Sequence, residues 1–563
     1  MANNQDKMAG KHKLILTCFV ILVSAITGGW TLSEKALSNH ECLVSVTARE
    51  MLQSGDWVMP TFNGLPRIQK TPLPYWLVAG LAKITGTIDE FTSRFPSVVF
   101  AVLLAVAILY YAGQWLGFRA ASLSALVWAT SLGYVRYSHN ARPEMALTFF
   151  VSLSLLSFYS AVTATTRKKQ VVQMLVFWVS FGLANLAKGP APLPLVLLPV
   201  LFYLAIYRQW RTIPKMLPIL GIIILLVIVL PWPLAMAHKM DWNLRLWKLE
   251  FVDRFFGKYA PGEKPWYYYL PGMFQFIAPW SGFLPFALAA PFYKVWGRKQ
   301  QTMQMLWLWF VVNLVFLTIC GGKRQHYIMP LMPAMAVLIG ILIDDIIFKN
   351  EALDKKQAKG FLQWHLIVLT AAAIFAPIYV ARKNPELLQP TIIFCIAMAV
   401  IIAGVAVLFI ARKPIGACAA LFAGYCVLIT LFYTGFVNPL DDNKISRSFS
   451  KKLASIVGPA DKVYAFKYVS GRSVFYFGRP IPEISNEASI VRYYEDGHYI
   501  LATTKYIDQL MQLGEFNRVY YQEKAESRQK KISPGALFRK PAQDHEAHKK
   551  QAKVYPVPGL ALR

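Results

Sequence analysis

The chain has 563 residues, 56% of them hydrophobic and 16% charged, with a mean hydropathy of +0.40. That is too apolar for a disordered chain or an ordinary soluble domain, and six cysteines are too few for a disulfide scaffold. The 59 Lys and Arg outnumber the 30 Asp and Glu, a net charge of +29. In a soluble protein this excess would suggest nucleic acid, but along an apolar chain its placement decides its meaning.

A membrane helix needs roughly 20 mostly apolar residues. Thirteen segments qualify, near 14–33, 95–113, 119–136, 145–163, 171–187, 190–207, 215–235, 274–293, 304–321, 327–347, 362–381, 391–411 and 414–434. With the N-terminus in the cytoplasm, the even-numbered connections are short and basic. They hold Arg119, then Arg167, Lys168 and Lys169, then Arg208, Arg211 and Lys215, with further lysines and arginines near 294–299, 349–359 and 412–413. The positive-inside rule therefore sets this orientation and leaves the C-terminus outside.

The first outer loop, 34–94, is rich in unusual residues. It opens with Ser38-Asn39-His40-Glu41-Cys42, continues as a helix over 43–52, and later reads Arg67-Ile68-Gln69-Lys70-Thr71-Pro72. Apolar residues at 43, 44, 46, 48, 51 and 52 form one stripe, which predicts an amphipathic helix in the membrane interface. That places His40, Glu41 and Lys70 at the boundary between lipid and water. An interfacial lysine also snorkels without any ligand.

Further along, Ser138-His139-Asn140-Ala141-Arg142-Pro143-Glu144 puts an acid at the mouth of the fourth span. An ionisable group there is a functional-site candidate, though it also suits a helix N-terminus. Lys188 lies between the fifth and sixth spans, placed to bind phosphate or to snorkel. The large outer loop 236–273 carries Arg254 and Lys258 among aromatics. Gly321-Gly322-Lys323-Arg324-Gln325-His326-Tyr327 then packs two cations and a histidine at the start of a span, where two glycines permit close backbone approach. From residue 438 a polar tail alternates as strands at 463–466, 473–477 and 519–521, with a helix over 505–513, which predicts a small soluble α/β domain. The division expected is a transmembrane domain 1–437, with catalytic outer loops 34–94 and 236–273, followed by a soluble domain 438–563. No Gly-rich nucleotide loop, CxxC metal pattern or internal repeat occurs.

Taken in order, several strings resemble the GT-C membrane glycosyltransferases, in the branch of the protein O-mannosyltransferases and the aminoarabinose transferases that modify lipid A. They are Ala48-Arg49-Glu50-Met51-Leu52, Ser54-Gly55-Asp56-Trp57, the run from Lys70 through Pro72-Leu73 to Tyr75-Trp76, Arg94-Phe95-Pro96-Ser97, Ala187-Lys188-Gly189-Pro190, Pro231-Trp232, Trp266-Tyr267-Tyr268 and Lys323-Arg324 with His326-Tyr327. The resemblance covers roughly 1–435. It implies an α-helical polytopic fold of GT-C type, about 13 transmembrane helices with amphipathic juxtamembrane helices, plus the soluble C-terminal domain. It further implies an inverting glycosyltransferase of a bacterial inner membrane. Such an enzyme moves a sugar from a polyprenyl-phosphate carrier to a lipid A-like lipid, a glycan or a protein at the outer face. Its partners would be membrane lipids, the lipid-linked donor and that acceptor, with no nucleic acid. A flippase for lipid-linked sugars and a catalytically degenerate relative are the competing readings.

The family usually carries an Asp-Glu pair where this chain has His40-Glu41, and the Asp is its usual catalytic carboxylate. Gln69 stands where the aminoarabinose transferases have a Glu that can help hold a metal, so a divalent metal is left open. The candidates for catalysis are Glu41, His40 and Glu144, of which Glu144 matches the place of a second-loop Asp in the family. The candidates for holding the carrier phosphate and substrate are Lys70, Arg67, Lys188, Arg254, Lys323, Arg324, His326 and Tyr327, of which Lys70 matches a carrier-phosphate ligand of the family.

Overall fold

The computed structural model describes residues 2–68, 70–240, 264–297, 299–349, 355–439, 441, 443–522 and 535–541. The chain divides into two compact units. One comprises 1–32, 68–77 and 94–440; the other comprises 33–67, 78–93 and 441–563.

Among the described residues the first unit holds nine helices long and apolar enough to cross a membrane. A tenth crossing is a pair, Trp266–Ile277 and Trp280–Phe292, bent by 120°. Three shorter apolar helices, Lys13–Gly29, Phe118–Ala129 and Pro192–Ile206, complete the match to the thirteen expected segments. The 12 residues of Phe118–Ala129 rise only about 18 Å, less than the roughly 30 Å hydrocarbon layer. The chain is an integral membrane protein.

Burial separates central helices from peripheral ones. The apolar stretches of Glu144–Val162 and Gln325–Phe348 are each 89% buried, whereas those of Gln363–Lys383 and Pro385–Ile410 are 7% and 6% buried. Apolar surface left outward in this way faces lipid. The centre packs closely. A side chain at Gly340 would stand 2.5 Å from the Ser124 backbone, so glycine is what lets Met332–Asp344 approach Phe118–Ala129.

The expected span 119–136 is broken. Phe118–Ala129 stops at Thr130, and Ser131 caps a second helix, Leu132–Ser138, by accepting from Tyr134 N–H. Backbone groups freed inside a membrane must find partners. Here the partner is the other break: Leu132 N–H donates to Ala278 O at 2.7 Å, and Trp280 Nε1 donates to Thr130 Oγ1 at 3.0 Å.

The second unit is an α/β fold. Strands β3 (Val463–Phe466), β4 (Glu483–Ile484), β5 (Tyr499–Thr503), β6 (Arg518–Tyr521) and β7 (Gly535–Phe538) form a sheet in the order β4-β3-β5-β7-β6. β3 runs parallel to β4 and β5, while β7 runs antiparallel to β5 and β6. The segment expected as a strand at 473–477 is instead the helix Gly471–Phe477. Ser470 caps its start, left-handed Gly478 closes its end, and Val474 through Phe477 are all buried, so no face alternates.

Residues 33–67 and 78–93 of the first loop belong to this unit, while 68–77 belong to the first. The loop helix Asn39–Ser54 turns Cys42 and Val46 into a core shared with Val469, Phe475 and Leu537. The apolar stripe expected in the lipid interface is therefore covered by protein. Arg49 donates to the Phe475 and Val474 carbonyls at 2.9 and 3.0 Å, and burial pushes its guanidinium below its ordinary pKa. Strands β1 (Thr61–Phe62) and β2 (Leu65–Pro66) form a hairpin over Asn63-Gly64, both with positive φ, the turn that an Asn-Gly pair favours. The Asn63 amide then exchanges two bonds with Ile481, at 2.7 Å to its carbonyl and 2.6 Å from its N–H.

Candidate active site

Two features of helix chemistry bring one acid and one base together. Glu144 is the first residue of Glu144–Val162, and Lys188 is the last residue of Arg167–Lys188. A carboxylate suits the positive end of a helix dipole and an ammonium suits the negative end. These helices lie side by side, and Lys188 Nζ meets Glu144 Oε1 at 3.2 Å. Glu144 is 3% exposed.

Further basic groups converge on the same carboxylate. His326 Nε2 lies 3.3 Å from Oε1, and Arg142 Nε lies 3.8 Å from Oε2. Arg324 stands close enough for its charge to act on both Lys188 and His326. Tyr327 walls the group: Lys188 Nζ is 5.1 Å from its ring centre, and the His326 ring meets it edge-on at 4.8 Å. A single carboxylate thus faces Arg142, Lys188 and His326, with Arg324 behind the latter two. Buried charge is costly unless paired, so this excess of positive charge suits an incoming anion. Glu144 Oε2 is itself buried without a hydrogen bond, leaving an acceptor position for a hydroxyl or amine.

The site residues expected from sequence separate into groups. Glu144, Lys188, Arg324, His326 and Tyr327 come together. Lys323, by contrast, donates to the carbonyls of Lys264 and Pro265. Lys70 is partly buried in the first unit, beside Gln69, which lies outside the described residues, as does Arg254. Arg67, His40 and Glu41 belong to the second unit. The Arg67 guanidinium sits over the Phe62 ring at 5.9 Å, and His40 is exposed. Glu41 is buried and closes a capping box: its Oε2 accepts from Ser38 N–H at 2.8 Å while the Ser38 hydroxyl takes Glu41 N–H. Helix capping accounts for an acid at that position. Arg142 is the residue that sequence reasoning missed; its mark is its place two residues before Glu144, across Pro143.

A divalent metal does not fit this cluster. Among the described residues no three His, Cys, Asp or Glu side chains gather as ligands, and cations ring the one carboxylate.

Comparison with known proteins places the chain. Residues 69–234 match the dolichyl-phosphate-mannose-protein mannosyltransferase family. The undecaprenyl phosphate-alpha-4-amino-4-deoxy-L-arabinose arabinosyl transferase of Pseudomonas paraeruginosa is 30% identical over 419 residues, covering 72% of this chain and 74% of the relative. A second transferase of that name, from Pseudomonas fluorescens Pf0-1, is 27% identical over 411 residues, covering 71% and 72%. Crystal structures of ArnT from Cupriavidus metallidurans share the fold. The apo form has a TM-score of 0.79 at 19% identity, covering 94% of this chain and 98% of that one. The form bound to undecaprenyl phosphate has a TM-score of 0.78, covering 93% and 97%. The chain therefore belongs to the undecaprenyl phosphate-alpha-4-amino-4-deoxy-L-arabinose arabinosyl transferases and is a membrane glycosyltransferase.

Proposed function

We propose that the protein transfers 4-amino-4-deoxy-arabinose from undecaprenyl phosphate to a lipid A-like acceptor at the outer face of the inner membrane. The observation that carries this reading is the buried Glu144 among Arg142, Lys188, Arg324 and His326. In the reaction an acceptor oxygen attacks the anomeric carbon, the bond to the carrier phosphate breaks, and the phosphate leaves with its electron pair. Fixed cations stabilise that developing charge. In this scheme Lys188, Arg324 and Arg142 face the leaving phosphate with the His326 ring beside them, and Lys70 is a further carrier contact. Glu144 holds the cations in register and orients the sugar. An acceptor phosphate oxygen needs no base, whereas a hydroxyl does.

Purified protein in proteoliposomes should release free undecaprenyl phosphate from the lipid-linked sugar with matching gain by the acceptor, without any nucleotide sugar. No transfer from the lipid-linked donor would refute the reading. The orientation from loop charge is tested separately. Cysteines at exposed Gln53 and exposed Lys168 should react with an impermeant maleimide from opposite faces, Lys168→Cys from the cytoplasmic one. Labelling from one face would overturn it.

A further inference from the structure

His139 occupies the turn between Leu132–Ser138 and the helix that Glu144 opens. The residue is buried. Each ring nitrogen meets a main-chain carbonyl oxygen: Nδ1 is 2.8 Å from Val135 O, and Nε2 is 2.6 Å from Trp30 O. A neutral imidazole has one N–H and one lone pair. In that state one of these two contacts would set a lone pair against a lone pair. Ser138 gives no relief. Its hydroxyl donates to Val135 O at 3.0 Å, so at 3.3 Å from Nδ1 it stands as an acceptor. The imidazolium alone donates to both carbonyls.

The surroundings favour that charge. Val135 lies in the last turn of its helix, and Trp30 directly follows the helix Ala2–Gly29, so both carbonyls stand at negative ends of helix dipoles. The Tyr433 ring stacks on the imidazole, centroids 4.4 Å apart at 29°, presenting a π face to a cation. Tyr433 also directs its hydroxyl at Val135 O, at 3.4 Å. Among the described residues, three arginines and Glu144 stand on the neighbouring elements. Arg94, from the helix Glu90–Leu116, donates to Leu32 O at 2.6 Å. The Arg136 guanidinium lies over the Tyr137 ring, and Arg142 and Glu144 pair with each other.

We propose that His139 is a positioning residue for the transfer reaction, acting as an imidazolium that ties the end of the first helix to the turn carrying Arg142 and Glu144. The same turn is held at Asn140 O by the Ser97 hydroxyl at 2.7 Å and by Arg142 N–H at 2.9 Å. His139 is the part of this grip that a proton controls. Both of its bonds persist while the ring is charged; as pH rises and the proton leaves, one bond is lost and the turn loosens. The positioning role rests on the reading of Glu144 and its cations as the active site.

Two measurements test it. Protein labelled with 15N-histidine, in lipid at pH 7, should give one signal with both ring nitrogens protonated that is missing from His139→Gln. A neutral-tautomer signal for His139 would overturn the proposal, and this readout needs no folded variant beyond the assignment. In kinetics, His139→Gln should lower kcat by about 10-fold, short of the ~100-fold that a full ångström of misplacement costs. Its KM for the donor should stay within about twofold, since His139 is not placed on the carrier phosphate. The wild-type decline at high pH should disappear from its profile, and His139→Arg should recover part of kcat. Wild-type kcat in His139→Gln, or an unchanged high-pH decline, would overturn the positioning role. Full activity of Glu144→Gln would instead overturn the site reading beneath it, so the two failures are told apart.

Discussion

Glu144→Gln should lower kcat by about 100-fold while leaving donor binding intact or slightly tighter. The substitution keeps the shape of the side chain and deletes its charge. Lys188 then loses its 3.2 Å partner, and His326 and Arg142 lose theirs. Removing one partner of a buried ion pair costs about 3–5 kcal/mol, because the remaining charges stay desolvated without compensation. Part of that cost should appear as a lower Tm and part as cations displaced from the leaving phosphate. The pocket as a whole becomes more positive, so an anionic donor is not repelled. Steady-state kinetics with a directly measured donor Kd separates these effects. A variant with wild-type kcat would remove Glu144 from the site, and one that loses only donor affinity would give it a different role.

Lys188→Met should be as damaging by the opposite route. Methionine retains much of the lysine stem and removes the ammonium. Losing one fixed donor to a developing anion costs about 100- to 1,000-fold in rate. Here KM for the lipid-linked donor should rise as well, because the phosphate carries charge before it leaves. The double variant with Glu144→Gln discriminates further. The two side chains touch, so their effects should combine to less than the product of the single losses. In stability the double variant should exceed Glu144→Gln alone, because the unpaired lysine charge is gone. Strictly multiplicative losses would mean that the two residues act independently, contrary to the geometry.

Most of the membrane architecture is legible in the sequence because burial in lipid demands long apolar runs, and such runs are hard to mistake. What the runs conceal is where a helix breaks inside them. Residues 119–136 read as one span, yet Thr130 and Ser131 interrupt it, because the Leu132 N–H released there is taken up by Ala278 O and the Thr130 hydroxyl by Trp280 Nε1. Only tertiary pairing shows that. The cluster of Glu144, Lys188, Arg324 and His326 was legible for a complementary reason: ionisable groups at the mouths of apolar helices are expensive and therefore few. Arg142 escaped notice as an ordinary loop cation. Glu41 shows the converse. Ser38 and Glu41 have the spacing of a capping box, a local pattern that explains the acid without chemistry on a substrate. Likewise Asn63-Gly64 announces its hairpin, while the Ile481 backbone it grips lies 418 residues away and leaves no mark in the local sequence.

That separation has a consequence for the order in which the molecule is made. The first loop leaves the ribosome some 418 residues before the strands and helices that share its core. At about 5–20 residues per second, synthesis of the intervening 418 residues takes on the order of 20–80 s. During that interval the membrane helices can assemble while the segment carrying His40 and Glu41 waits for its partners. The unit that joins these distant segments is thus a late checkpoint. The loop takes its final shape only after the segment around Ile481 has been made.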